Sequence, residues 1–224
     1  MEVLYEDNHL IIVNKRVGEI VQGDKTGDEP LSETIKRYLK EKYAKPGNVF
    51  CGVTHRLDRP VSGVVVFAKT DKALGRMNRL FAEHGVKKMY WAIVCGKPEK
   101  EEGRLEHYLV RNEKLNKSFA YDREKPGGKR AVLTYRLLTA GDRYSLLEIN
   151  LETGRHHQIR SQLSAIGLPI KGDLKYGAKR SNPDGGISLH ARSVEFVHPV
   201  SHELVRVVAP VPEDNLWRLL TEGV

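Results

Sequence analysis

A short apolar run at 10–13 ends in Asn14-Lys15-Arg16 and predicts a strand that enters a turn at Gly18. The stretch 23–30 is rich in Gly, Asp and Thr and predicts a loop. Leu31, Ile35, Tyr38 and Leu39 then recur at helical spacing, which predicts an amphipathic helix over 31–44, ended by Pro46-Gly47. Strands are predicted at 49–54 and 63–69, so 55–62 is a loop joining them. A second helix is expected from Asp71, read as its N-cap, to a stop at Gly85, with Leu74, Met77, Leu80 and Phe81 as its apolar stripe. Residues 88–94 are rich in strand formers and carry Tyr90 and Trp91.

The segment 111–130 is polar and basic, with Pro126-Gly127-Gly128 at its tip, and reads as a β-hairpin or long loop. Strands follow near 132–138 and 144–151. Gly154 leads into a helix expected over 155–165, with Ile159 and Leu163 facing in. The tail alternates over 187–196, turns around His198-Pro199 and alternates again over 203–208. Strands outnumber helices and several are joined by tight turns. The expected class is therefore α+β, with a mixed, largely antiparallel sheet and flanking helices. No internal repeat, low-complexity tract or linker interrupts the pattern, so one domain over 1–224 is expected.

Composition narrows the partners. The 224 residues carry 37 Lys and Arg against 29 Asp and Glu, a formal charge of +8. Such a surface attracts nucleic acid or an anionic membrane without choosing between them. No apolar run approaches the ~20 residues of a membrane helix, so no membrane partner is expected. The chain opens Met-Glu-Val-Leu-Tyr-Glu-Asp, with acid where a signal peptide carries basic residues. Cys51 and Cys95 are the only cysteines and form no C-x-x-C, consistent with free thiols in a reducing compartment. The expectation is a cytoplasmic protein, and a monomer.

Several chemistries fail at the level of motif. Ser62-Gly63 follows Pro60-Val61, so a G-x-S-x-G elbow lacks its first glycine. The stretch 172–179 approaches a phosphate-binding G-x-x-x-x-G-K-[ST] but has Ala178 where the Lys belongs. His156 and His157 are adjacent, so on a helix they point to different sides and cannot share a metal as H-E-x-x-H does. No metal site is expected.

Two segments are dense in chemistry-bearing groups. In the first, His55-Arg56-Leu57-Asp58-Arg59, cationic Arg56 and Arg59 bracket a lone carboxylate, and Ser62-Gly63 follow before an apolar run. Cations beside a carboxylate favour its ionised form, which suits a nucleophile or a base. In the second, a strand ends at Glu152-Thr153-Gly154, and the next turn carries Arg155, His156, His157, Gln158 and Arg160. That is too many polar groups for a plain packing helix. Taken one at a time, each segment also fits a solvated charged surface.

Together they resemble a known family. His55-Arg56-Leu57-Asp58-Arg59-Pro60-Val61-Ser62-Gly63 is similar to the H-R-L-D-x-x-T-S-G signature of RluA-type pseudouridine synthases. Asn14-Lys15-Arg16-Val17-Gly18 resembles the family's N-K-P-x-G, and 88–96 resembles its K-x-Y-x-A-x-V-x-G strand. Residues 151–177 resemble L-x-T-G-R-x-H-Q-I-R followed by G-x-P-I-x-G-D-x-x-Y-G. Leu189-His190-Ala191 and Phe196-Val197-His198-Pro199 resemble the closing L-H-A and F-x-H-P. Arg16 stands where the family has Pro, and Val61 where it has Thr.

The resemblance implies an isomerase that cuts the bond between uracil and ribose, turns the base and rejoins it through a ring carbon, without metal or cofactor. It implies Asp58 as catalytic carboxylate, Arg160 as the basic residue that pairs with it, and Tyr90 as the ring that packs on the target uracil. Arg56 would fill the gap left by a flipped base. His55, Arg155 and Gln158 are further candidate substrate contacts, and Lys114, Lys117, Lys129 and Arg130 would track phosphates of rRNA or tRNA. A separate N-terminal RNA-binding domain, which many relatives carry, is not expected. A non-catalytic RNA-binding protein and a hydrolase that uses Asp58 with His55 as its base are the competing readings.

Overall fold

The computed structural model describes Met1–Val224. Its elements in chain order are β1 (Glu2–Glu6), β2 (Leu10–Lys15), α1 (Leu31–Lys42), β3 (Gly52–Val53), β4 (Ser62–Ala68), α2 (Asp71–Ala82), β5 (Val86–Cys95), β6 (Glu102–Asn112), β7 (Lys117–Tyr121), β8 (Lys129–Ala140), β9 (Tyr144–Leu151), α3 (Gln158–Ala165), β10 (Leu189–Val197), β11 (Leu204–Val208) and α4 (Asn215–Thr221), with a 3-10 turn at Leu174–Tyr176 between α3 and β10. The class is α+β, as expected. The chain divides into two compact units, one of Met1–Lys87 with Ala191–Pro210 and one of Lys88–His190 with Val211–Val224.

In the first unit the strand order is β1-β2-β4-β10, with β3 on β4 and β11 on β10. The β1–β2, β2–β4, β3–β4 and β10–β11 ladders are antiparallel. β4 is buried along its whole length, which explains its unbroken apolar sequence. Leu10, Ile12, Val64, Val66, Met77, Val194 and Phe196 are the centre of this unit's core. Gly63, at the head of β4, has φ +115°, and a Cβ there would lie 2.3 Å from the Ala191 carbonyl oxygen. Only glycine lets β10 approach so closely beside the loop that carries Asp58.

The second unit orders its strands β5-β9-β8-β6-β7, with antiparallel ladders β5–β9, β8–β9, β6–β8 and β6–β7. Trp91, Ile93, Leu146, Trp217 and Leu220 form a core cluster between its sheet and α4. The basic segment holds a hairpin turn, but at 113–116 between β6 and β7 and not at the expected tip Pro126-Gly127-Gly128, which lies in the connection from β7 to β8.

Several expectations are corrected. The second helix is capped by Thr70, whose hydroxyl accepts from the Ala73 N–H, so Asp71 is its first residue and not its cap. The strand expected at 49–54 shrinks to Gly52–Val53. α3 begins at Gln158, three residues later than expected, because 154–157 make a turn that ends with His157 in a left-handed conformation. His156 and His157 therefore do not point to opposite sides of a helix; their rings stack, with centroids 3.8 Å apart. β1, α4 and nearly all of β6 were not anticipated.

Candidate active site

The first unit presents Asp58 on a turn. The Val61 N–H donates to the Asp58 carbonyl at 3.0 Å, closing residues 58–61 just ahead of β4. The end of β2 grips this turn. Lys15 is fully buried, and its ammonium donates to the carbonyls of Val61 (2.6 Å), Arg59 (3.1 Å) and Arg16 (3.0 Å). Gly18, at φ +87°, donates its N–H to the Arg59 carbonyl at 3.0 Å. The lysine's three donors thus tie the N-K-x-x-G turn to the Asp58 turn. Burial pushes the Lys15 ammonium down to about 8, although the carboxylates of Glu19 and Asp58 hold it up in part. A fully buried lysine is rare unless it has partners. The sequence signal for it was a Lys closing an apolar run, and it was not selected.

Arg59 does not accompany Asp58 as the sequence suggested. Its guanidinium turns to the 23–30 loop, where it meets Asp28 at 2.7 Å, Thr26 Oγ1 at 2.7 Å and Asp24 at 3.5 Å. Lys15 is a cation of this unit close enough to feel the charge of Asp58. Arg56 is exposed. His55 packs its ring on Phe81 at 4.8 Å, and its Nε2 accepts from the Val66 N–H at 3.0 Å. An acceptor nitrogen is the unprotonated one. The base that a hydrolase would need from this residue is therefore already committed to a strand N–H.

The second unit holds the remaining candidates. Tyr90 is buried on β5, opposite Ile149 of β9. Arg160 is buried on α3, and its Nε and Nη2 donate to Asp173 Oδ2 (2.7 Å) and Oδ1 (2.9 Å). The ring of Tyr176 lies 5.0 Å from the guanidinium carbon. Asp173 and Tyr176 belong to the G-D-x-x-Y-G stretch, which was noted as a motif without either residue being singled out.

Gln158 is buried. Its Oε1 accepts from Thr153 Oγ1 (2.8 Å) and the Arg155 N–H (2.9 Å), while its Nε2 donates to the Val132 carbonyl (3.0 Å). So engaged, its amide shapes the turn, and one N–H of Nε2 is left over from these bonds. Arg155 is exposed and donates to the Arg130 carbonyl at 3.0 Å.

The hairpin cations differ in their freedom. Lys114 and Lys129 are exposed. Lys117 lies over the rings of Phe119 (5.3 Å) and Tyr176 (5.0 Å). Arg130 is held by Glu106 through bonds of 2.6 and 3.0 Å, and Glu106 also meets Arg104 at 2.7 Å. Arg130 is thus matched by a carboxylate, unlike the two lysines. Lys175 braces the tip of the β6–β7 hairpin by donating to the carbonyls of Leu115 and Asn116 at 3.3 and 3.1 Å.

Comparison with known proteins identifies the class. The family model described as RNA pseudouridylate synthase matches residues 9–165, and the chain belongs to that family, a family of isomerases. It is 34% identical to the ribosomal large subunit pseudouridine synthase D of Zymomonas mobilis, across 96% of this chain and 70% of that one. It is 32% identical to the tRNA pseudouridine synthase C of Vibrio parahaemolyticus, across 98% of this chain and 93% of that one. A Synechocystis relative is matched over 66% of its length. Among solved structures, human RNA pseudouridylate synthase domain containing 4 shares the fold with a TM-score of 0.79 at 24% identity, covering 95% of this chain and 89% of that one. No helix is long and apolar enough to cross a membrane.

Proposed function

We propose that the chain converts uridines of rRNA or tRNA to pseudouridine in the cytoplasm, with Asp58 as catalytic carboxylate and the target base flipped out of its stack. One observation carries the reading. Asp58 sits on a turn whose backbone is gripped by a fully buried lysine and a left-handed glycine from a different strand end. A solvated charged loop has no need of such an anchor, whereas a reacting carboxylate must be held in place. The relatives named for the large ribosomal subunit and for tRNA support an RNA substrate of either kind.

The reaction balances within the substrate. The bond from ribose C1′ to uracil N1 breaks, and a bond from C1′ to C5 forms. The C5 proton leaves and N1 gains one, so no oxidant or reductant takes part. An ionised Asp58 serves whether it attacks the sugar, attacks the base or removes a sugar proton. Tyr90 would stack on the uracil, Arg160 would serve as the basic partner of Asp58, and exposed Arg56 would fill the vacated stack. The lysines of the hairpin would follow phosphates. The hydrolase reading loses ground because His55 Nε2 accepts from Val66.

Pseudouridine maps of rRNA and tRNA from cells with and without this chain test the proposal. The expected result is the loss of one or a few pseudouridines on deletion and their return with the wild-type chain. Identical maps would refute it.

A further inference from the structure

His157, at the head of α3, has φ 52° and ψ 28°. That left-handed region is uncommon for residues other than glycine, although Asn, Asp and His are enriched in it, and His84 and His202 adopt it here as well. Helices usually begin with an extended Ser, Thr, Asp or Asn whose side chain caps the first N–H groups. His157 makes no such cap. Backbone preference tolerates a histidine here, but neither it nor capping calls for one.

Its side chain does. Nε2 lies 3.0 Å from Arg160 Nη1, and Nδ1 lies 2.9 Å from the Tyr176 hydroxyl. A guanidinium offers only donors, so Nε2 is the acceptor and the proton sits on Nδ1. That proton goes to the Tyr176 oxygen, which also accepts from the Ser118 N–H at 2.8 Å. The imidazole is therefore bound neutral, in one tautomer. On its other edge, the Arg160 guanidinium is chelated by Asp173. Three of its five N–H groups are set by these two residues, and that fixes the direction of the other two. The His156 ring, stacked on His157, meets Ser118 Oγ at 2.8 Å and Asn116 Oδ1 at 3.1 Å, which buttresses the imidazole from the β6–β7 turn.

We infer that His157 is a positioning residue, a neutral acceptor held in a left-handed backbone to aim the guanidinium of Arg160. The inference rests on the proposed role of Arg160 in the reaction. A residue that acts only by holding another in place acts through orientation, so its loss lowers the rate of the chemical step more than RNA binding.

Two substitutions separate this role from a backbone one. His157→Gln carries an amide atom near the position of Nε2 but suits a left-handed backbone poorly. His157→Asn suits that backbone but places its amide near Nδ1, short of Arg160. Single-turnover rates per folded molecule, with RNA affinity and melting temperature alongside, give the ranking. A positioning role predicts that the Gln variant stays within about threefold of wild type while the Asn variant falls by about tenfold or more, with RNA affinity nearly unchanged in both. A backbone role predicts the reverse order, and that order, or wild-type rates in both variants, would overturn the inference. Arg160→Met is measured beside them. If it is inactive while both His157 variants keep wild-type rates, the role of Arg160 stands and that of His157 falls. If it is fully active, the reading of Arg160 fails, and the inference falls with it.

Discussion

Lys15 and Val61 are 46 residues apart in sequence, yet the Lys15 ammonium donates to the Val61 carbonyl at 2.6 Å with no exposure to solvent. The contact joins the end of β2 to the turn that presents Asp58. Replacing the lysine by methionine keeps the length and removes the donors. Relief of the buried charge offsets only part of the cost of leaving three carbonyls without their donor. Lys15→Met is expected to fold with a lowered melting temperature and, per folded molecule, to turn over far more slowly. A misplacement of ~1 Å can cost on the order of 10²-fold in rate. Melting curves and single-turnover rates check this, and an unchanged rate would show that the anchor does not matter.

Glu6 gives the first unit a dependence on acid. Burial raises its carboxyl, but hydrogen bonds from Lys42, Lys69, Tyr43 and Tyr38 outweigh burial and bring it down to about 2, from an ordinary 4.5. A carboxylate depressed in the folded state stabilises above its unfolded value, and that contribution is lost as pH falls through the folded one. The window is therefore pH 4.5 down to 2, and the contribution is on the order of 3 kcal/mol. Urea titrations at several pH values should show Glu6→Gln with a flatter acid limb than wild type. Parallel limbs would contradict the assignment.

Lys114 and Lys129 are exposed, whereas Arg130 is matched by Glu106. Neutralising the two lysines should therefore flatten the salt dependence of RNA binding more than Arg130→Gln does. Each lost phosphate contact should remove about 0.7 from the log–log slope on single-stranded RNA. Equal slopes for all variants in a salt titration would favour a merely solvated hairpin.

Tyr90 is buried on β5, and its proposed role is to stack its ring on the target uracil. Tyr90→Phe should leave RNA affinity close to wild type. Tyr90→Leu should weaken it, since base–aromatic stacking is worth roughly 1–3 kcal/mol. Filter binding with both variants tests this, and equal losses would argue against stacking.

Much of the architecture could be read from periodicity. The apolar run of β4, the stripe of α2 and the alternation of β11 each follow from burial on one or both faces. β1 escaped because five residues, EVLYE, give too short a pattern. α4 escaped because it has only seven residues, although Asp214 caps it by accepting from the Leu216 and Trp217 N–H groups. The site was legible where chemistry is written in sequence neighbours, as at His55-Arg56-Leu57-Asp58. It was not legible where partners come from distant segments. Nothing local says that Arg59 turns to Asp28, that Lys15 is buried under Val61, or that Arg160 is chelated by Asp173. The left-handed turn at His157 likewise follows from tertiary bonds rather than from propensity.

The central claim is that Asp58 carries out the isomerisation. Its most direct test is release of tritium from RNA labelled at uracil C5, since that hydrogen leaves when C5 bonds to ribose. Wild-type protein should release label from bulk rRNA or tRNA and leave pseudouridine in the digest. Asp58→Asn keeps the shape of the side chain but can act neither as nucleophile nor as base. It should fold, bind RNA with nearly wild-type affinity and release no label above background. Release by Asp58→Asn within about tenfold of wild type, the rate factor that ~1.4 kcal/mol represents, would contradict the account.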